Sequence, residues 1–302
     1  MKILISTSSF AEYDRTPLDT LMEHELEFQL NPHKRTLSGE ELTNLCQGCA
    51  GLIAGTERIT ADVLQKLSEL KVISRCGVGV ENVDITAADK LGIKVFNTPD
   101  APTLAVAELT IGLMLNLLRK VCDMDRKLRN GHWQKKMGNL LFCKKIGIVG
   151  FGRVGKKVAE FLKPFGCEIA YADPFVEDGL MELKRLSLEE LLVWADIVSI
   201  HVSGNEKLLG KREFKIMKKG AWLVNSSRGG IVDEDALHNA LKAGDLSGAA
   251  LDVFAKEPYN GSLKDLNSVI LTPHIGSYAK EARIQMETQA VENLLKGLKE
   301  VA

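Results

Sequence analysis

Residues 145–155, Lys-Ile-Gly-Ile-Val-Gly-Phe-Gly-Arg-Val-Gly, carry types and spacings that could do chemistry. Ile146, Ile148 and Val149 read as a short buried strand that ends at Gly150. Gly150, Gly152 and Gly155 fill the G-x-G-x-x-G spacing, and Lys156 to Leu162 continue at helical period. The first glycine permits a tight turn. The second lets backbone approach a pyrophosphate, and the third lets helix lie close on strand. Such a helix start offers unpaired N–H groups and a positive dipole end to phosphates. A second apolar run, 168–172, leads to Asp173, 18 residues beyond Gly155. A carboxylate at about that distance hydrogen-bonds a ribose 2′-OH and repels a 2′-phosphate, so NAD is expected rather than NADP. The competing reading, a glycine-rich turn that binds nothing, leaves Asp173 unexplained.

A nicotinamide site calls for a carbonyl or hydroxyl substrate, a proton carrier and a group that holds an anion. Three later stretches place charged groups at the ends of expected strands, where doubly wound folds build their sites. They are Asn225-Ser-Ser-Arg-Gly-Gly-Ile-Val-Asp-Glu234, Leu251-Asp-Val-Phe-Ala-Lys-Glu-Pro258 and Leu271-Thr-Pro-His-Ile-Gly-Ser277.

The elements that must position these groups alternate. Strands are expected at 2–6, 26–30, 51–54, 70–74 and 93–96, with helices between them, one of which opens on the capping-box spacing of Ser38 and Glu41. That alternation means βαβ units, a parallel sheet and right-handed crossovers. Asn97, Pro99 and Pro102 then break the pattern, and a long apolar helix spans 103–119. Further strands follow at 197–201, 221–225, 248–253 and 269–271, and an amphipathic helix closes the chain over 278–299. The expected fold is α/β with two doubly wound domains: a Rossmann NAD-binding domain, 99–274, inserted in a flavodoxin-like substrate domain, 1–98 and 275–302. A small-ligand site is expected in a cleft between them.

Bulk properties exclude several classes. Hydrophobic residues make up 45% of the 302 and charged residues 26%, and 39 basic against 40 acidic side chains leave −1. No global field recruits nucleic acid or an anionic membrane. No apolar run approaches the roughly 20 residues of a membrane span, and the N-terminus is too short and too soon polar for a signal peptide. The cytoplasm is the expected compartment. Cys46 and Cys49 have C-x-x-C spacing, but no second pair or spaced histidine follows. Buried or loop thiols are expected there, and no metal.

Four separated motifs give the chain a resemblance. Arg75-Cys-Gly-Val-Gly-Val-Glu-Asn-Val-Asp84, Val106-Ala-Glu108, the glycine loop and His274-Ile-Gly-Ser277 stand in one order over nearly the whole length. The chain resembles the D-isomer-specific 2-hydroxyacid dehydrogenases, and among them the short phosphoglycerate-dehydrogenase-like members. The resemblance makes Arg228, Glu257 and His274 the catalytic arginine, glutamate and histidine. A ketone turns alkoxide-like as hydride arrives, so a proton donor must reach its oxygen. Imidazole suits that task near neutral pH. A carboxylate such as Glu257 against the ring would favour imidazolium and fix its tautomer. An arginine grips a carboxylate in bidentate fashion, as lysine cannot. By the same resemblance Arg75, Gly77, Val78 and Gly79 bind substrate, the glycine turn offering backbone N–H groups. Arg153 and Val154 would follow the pyrophosphate, Asp173 and Pro174 the adenosine ribose, and His201, Val202, Ser226 and Gly276 the rest of the cofactor. Asp252 would reach the nicotinamide amide.

Departures from the family pattern bear on substrate. After His201-Val202 the family usually has proline and a polar loop, whereas Ser203-Gly-Asn-Glu-Lys207 looks shortened. Phosphoglycerate enzymes often carry Arg-Ser where this chain has Gly55-Thr-Glu57. The basic loop Asn31-Pro-His-Lys-Arg35 offers a substitute cation or a solvated turn. The expected activity interconverts a D-2-hydroxy acid and its 2-oxo acid with NAD: 3-phosphoglycerate first, glyoxylate or hydroxypyruvate second. Formate oxidation is disfavoured, because formate enzymes of this superfamily place glutamine at the position of Glu257. The reading from another class is a non-catalytic NAD-sensing protein like the family's corepressors. Partner-binding extensions and an appended regulatory domain are not expected. A homodimer is expected through exposed apolar residues on the helix from Thr103.

Overall fold

Alternating apolar strands and helices form two parallel sheets in the computed structural model, which describes residues 1–204 and 206–301. In chain order the elements begin β1 (Lys2–Ile5), α1 (Thr16–Glu23), β2 (Glu27–Leu30), α2 (Gly39–Leu45), β3 (Cys49–Ala54), α3 (Ala61–Leu64), β4 (Val72–Arg75), α4 (Ile85–Lys90) and β5 (Lys94–Phe96). They continue with α5 (Thr103–Arg119), α6 (Val121–Arg129), β6 (Lys145–Val149), α7 (Arg153–Leu162), β7 (Glu168–Ala172), β8 (Lys184–Arg185), α8 (Leu188–Trp194) and β9 (Ile197–Ile200). The chain ends through α9 (Lys211–Ile216), β10 (Ala221–Asn225), α10 (Glu234–Ala243), β11 (Leu246–Leu251), β12 (Val269–Leu271) and α11 (Lys280–Glu300). Two compact units result: Met1–Pro102 with Tyr278–Ala302, and Thr103–Ser277. The crossings fall after residues 102 and 277, against expected crossings after 98 and 274.

The first unit has strand order β2-β1-β3-β4-β5, the flavodoxin-like order. Ile3, Leu4, Ile5, Leu52, Ile53 and Ile73 are fully buried along it. Each such side chain contributes about 1.5–3 kcal/mol relative to exposure. Helix α2 opens as its spacing implies: Glu41 N–H donates to Ser38 Oγ at 3.2 Å and Ser38 N–H to Glu41 Oε2 at 2.9 Å. Arg35 also pairs with Glu41, at 2.5 Å, and holds that carboxyl down at about 2. Cys46 caps the end of α2 and Cys49 opens β3; both are buried free thiols.

The second unit has order β12-β11-β10-β9-β6-β7-β8. From β6 the sheet runs one way to β7 and β8 and the other way to β9–β12, which is the Rossmann arrangement with its switch point between β6 and β9. Helix α5 packs Met114, Leu117 and Leu118 into the core beneath β6. Its exposed apolar surface is less than the sequence implies: of its large apolar residues only Leu104 is strongly exposed. That exposure belongs instead to the segment after it, where Leu128, Trp133, Met137, Leu140 and Phe142 face outward. Helix α6 lies outside the expected elements; Val121, Met124 and Leu128 stand at helical spacing along it, yet Val121 and Leu128 are exposed and its buried residue is Asp123. Among the described residues no helix is long and apolar enough to cross a membrane, and no His, Cys, Asp and Glu cluster could hold a metal ion.

Candidate active site

The glycine loop joins β6 to α7, and its three glycines differ in what surrounds them. Gly150 has φ +88, and a Cβ there would lie 2.7 Å from the backbone of His201 and Val202. A Cβ on Gly155 would lie 2.2 Å from Gly150 O, so helix and loop close on each other only through glycine. Gly152 faces open space: nothing lies within 4 Å of its Cβ position. It is the N-cap of α7 and gives no side-chain cap, so the N–H groups of the first turn, at Arg153, Val154 and Gly155, point at that opening. Beneath the loop, Phe151 is buried and stacks on Tyr171 with centroids 4.1 Å apart.

Asp173 leaves the end of β7 and turns back on the loop. Its Oδ2 accepts from Phe151 N–H at 2.7 Å and its Oδ1 from Phe175 N–H at 2.8 Å. The carboxylate is thereby fixed beside the glycine turn. Pro174 follows it, with its carbonyl accepting from Arg185 at 3.4 Å. His201 and Val202 continue β9 past the same edge, His201 N–H donating to Val149 O at 2.7 Å. His201 Nε2 stands 2.8 Å from Ser199 Oγ, while Nδ1 is buried without a hydrogen-bond partner among the described residues. Burial of the ring pushes its pKa down to about 3. An open glycine face, an uncapped helix start, a fixed carboxylate and an unpartnered imidazole nitrogen together fit a dinucleotide.

Three loops at the carboxyl ends of β10, β11 and β12 carry the candidate catalytic groups. Asn225 is fully buried and organises the first loop. Its Oδ1 accepts from Ser227 N–H and Oγ–H at 3.1 and 2.9 Å, and its Nδ2 donates to Arg228 O at 2.9 Å. Ser226 Oγ meets Thr110 Oγ1 of α5 at 2.9 Å. Arg228 Nη1 donates to Ser227 O at 2.9 Å.

Asp252, 1% exposed, ties the second loop to the third. Its N–H donates to Asn225 O at 2.9 Å. Its Oδ1 accepts from Thr272 Oγ–H at 2.6 Å and Ile275 N–H at 2.8 Å, and its Oδ2 from Gly276 N–H at 2.8 Å. This carboxylate, which the resemblance aims at the cofactor's amide, grips both sides of His274. His274 itself has φ 54, and its Nδ1 stands 2.8 Å from Glu257 Oε2. Glu257 Oε1 accepts from Phe254 N–H at 3.1 Å. Both side chains are partly exposed, at 53% and 38%, so the pair is open to a reactant.

The candidate substrate residues of the first unit follow β4. Arg75 folds back so that Nη1 donates to Cys76 O at 2.6 Å, filling the space where a Cβ on Gly77 would sit. Gly77 has φ +146, and its N–H donates to Thr98 Oγ1 at 2.8 Å and to Arg75 O at 3.0 Å. That N–H is engaged, contrary to a nest built on all three residues. Val78 and Gly79 N–H make no hydrogen bond among the described residues. Asn225, Thr98 and Thr110 escape sequence reasoning. Only Asn225 carried a usable signal, an Asn ahead of Ser-Ser at a strand end.

Residues 111–276 match the family described as D-isomer specific 2-hydroxyacid dehydrogenase, NAD binding domain. The chain belongs to the D-isomer specific 2-hydroxyacid dehydrogenases. The D-3-phosphoglycerate dehydrogenase of Methanocaldococcus jannaschii is 40% identical over 275 residues, covering 87% of this chain and 52% of that protein. The chain spans about half the length of such curated relatives: 52%, 58% and 49% of the first three. A Thermus thermophilus protein of known crystal structure matches with TM-score 0.92 and 37% identity, over 99% of this chain and 97% of that one. A glyoxylate reductase from Paecilomyes thermophila matches with TM-score 0.88 and 27% identity, over 100% and 96%.

Proposed function

We propose that this chain is an NAD-dependent dehydrogenase that interconverts a D-2-hydroxy acid and its 2-oxo acid, with 3-phosphoglycerate as first substrate and glyoxylate or hydroxypyruvate as second. The observation that carries the reading is the 2.8 Å approach of His274 Nδ1 to Glu257 Oε2, at the same sheet edge as the glycine loop. The 40% identity to a D-3-phosphoglycerate dehydrogenase supports the order of substrates.

NAD bound on the glycine loop would supply the hydride acceptor, and NADH the donor. Gly150, Gly152, Arg153, Val154 and Gly155 would hold its pyrophosphate, and Asp173 with Pro174 its adenosine ribose. His201, Val202, Ser226 and Gly276 would border the remainder. In the reducing direction His274 gives a proton to the substrate's carbonyl oxygen; in the oxidising direction it takes the hydroxyl proton. Glu257 holds the ring through Nδ1, which assigns proton transfer to Nε2. Arg228 binds the carboxylate and polarises the adjacent carbonyl. Asp252 keeps the 272–276 loop in place and acts through His274. Val78 and Gly79 offer their N–H groups to the acid, beside Arg75 and Gly77.

The chain would work in the cytoplasm, as its six free cysteines suit a reducing compartment. It would work as a homodimer, for which the outward Trp133, Met137, Leu140 and Phe142 argue. A panel of 3-phosphohydroxypyruvate, hydroxypyruvate and glyoxylate with NADH and NADPH tests the reading. Turnover with NADH on at least one acid is expected; no turnover on any of them would refute it.

A further inference from the structure

A cavity of about 330 Å³ lies in the second unit, away from the glycine loop. Trp222 near the start of β10, Ser247 near the start of β11 and Val269 at the start of β12 line it. The strands are parallel, so these residues stand at the amino edge of the sheet. The glycine loop and the loops of Arg228, Glu257 and His274 leave the carboxyl edge. The cavity is therefore a separate place.

Its charge is one-sided. Lys120, Arg126 and Lys136 line it against one carboxylate, Asp123. Lys136 Nζ lies 2.6 Å from Asp123 Oδ2, and that contact holds the carboxyl below its ordinary range. One cation is thus matched. Arg126 donates to the amide oxygen of Asn267 at 3.0 Å and shares Asp123 with Lys136, since its charge also lowers that carboxyl, so one carboxylate serves both cations. Lys120 has no ion pair among the described residues. It occupies the left-handed position between α5 and α6, with φ 54, and lines the cavity. Asn116 adds an amide from the end of α5. Three cations against one carboxylate leave an excess of two positive charges over a concave, amide-lined space, which suits a compact polyanion.

We propose that this cavity is a second ligand site, which binds a small organic or inorganic polyanion bearing a phosphate or paired carboxylates. The site does not depend on the hydroxyacid reading, because none of its residues belongs to the candidate active site.

Titration calorimetry of the full chain with inorganic pyrophosphate and with citrate, at fixed ionic strength set by chloride, tests this. Saturable binding of at least one is expected, weakening as chloride is raised. Pyrophosphate alone would assign a phosphate ligand, citrate alone a polycarboxylate. The double variant Lys120→Gln, Arg126→Gln should bind at least tenfold more weakly. Asp123→Asn, which frees Lys136, should bind more tightly, an outcome that misfolding cannot mimic. Saturating NADH should leave the affinity unchanged. No binding of either anion, an unaltered affinity in the double variant, or displacement by NADH would overturn the proposal.

Discussion

Gly229 lies so close to the Phe254 carbonyl that a Cβ on it would stand 1.8 Å from the carbonyl carbon and 2.0 Å from the oxygen. Arg228 precedes Gly229, and Phe254 N–H donates to Glu257. One backbone contact therefore joins the arginine loop to the glutamate loop. Gly229→Ala must push the two apart. We expect a loss of about 1–3 kcal/mol in unfolding free energy, read by urea denaturation, and a fall in kcat/KM of at least tenfold. A variant with both values unchanged would show that the loops are not coupled there.

Asp252 accepts from Thr272, Ile275 and Gly276 and so frames His274. Asp252→Asn keeps the volume but sets an amide N–H against a backbone N–H. A cost of about 1–3 kcal/mol follows from a buried donor left without an acceptor. The signature of positioning is a lowered kcat with NADH affinity held within about threefold. Fluorescence titration of NADH beside steady-state rates separates the two. A large loss of NADH affinity would instead return Asp252 to direct contact with the cofactor.

The Asp173 carboxylate is fixed by Phe151 and Phe175 N–H at the edge of the glycine turn. Asp173→Ala removes the charge that would repel a 2′-phosphate. The ratio of kcat/KM for NADH over NADPH should fall at least tenfold. An unchanged ratio would remove Asp173 from cofactor selection.

His201 gives a pH dependence of stability. Its folded pKa, near 3, lies below the ordinary histidine value of 6.5. Between those values the unfolded chain binds a proton that the folded chain refuses, so stability is full above pH 6.5 and declines as pH falls toward 3. His201→Gln removes this contribution. Melting temperatures from pH 7 to 4 should fall more steeply for the natural chain than for the variant, and parallel curves would contradict the assignment.

Much of this was legible in the sequence because its signals are local. The G-x-G-x-x-G spacing followed by Asp173 places strand, turn, helix and acid with one register. Ser38 and Glu41 announce α2, and Thr103–Arg119 is the helix that its apolar run implies. What could not be read comes from closure in three dimensions. Thr98 and Thr110 acquire roles only because Gly77 and Ser226 fold onto them. The resemblance assigns Asp252 to the cofactor, and its hold on the 272–276 loop shows only once that loop supplies its three donors. The engaged Gly77 N–H and the pairing of Arg35 with Glu41 were hidden for the same reason. In each case the partner is distant in sequence or sits in a loop whose path no periodicity records.

His274, held by Glu257 at 2.8 Å, is the group proposed to move the proton in an NAD-linked reduction of a 2-oxo acid. Steady-state reduction of the best acid by NADH in His274→Ala tests it most directly. A kcat lowered about 10²–10⁴-fold is expected, with NADH binding nearly intact. A variant that turns over at the natural rate would contradict it.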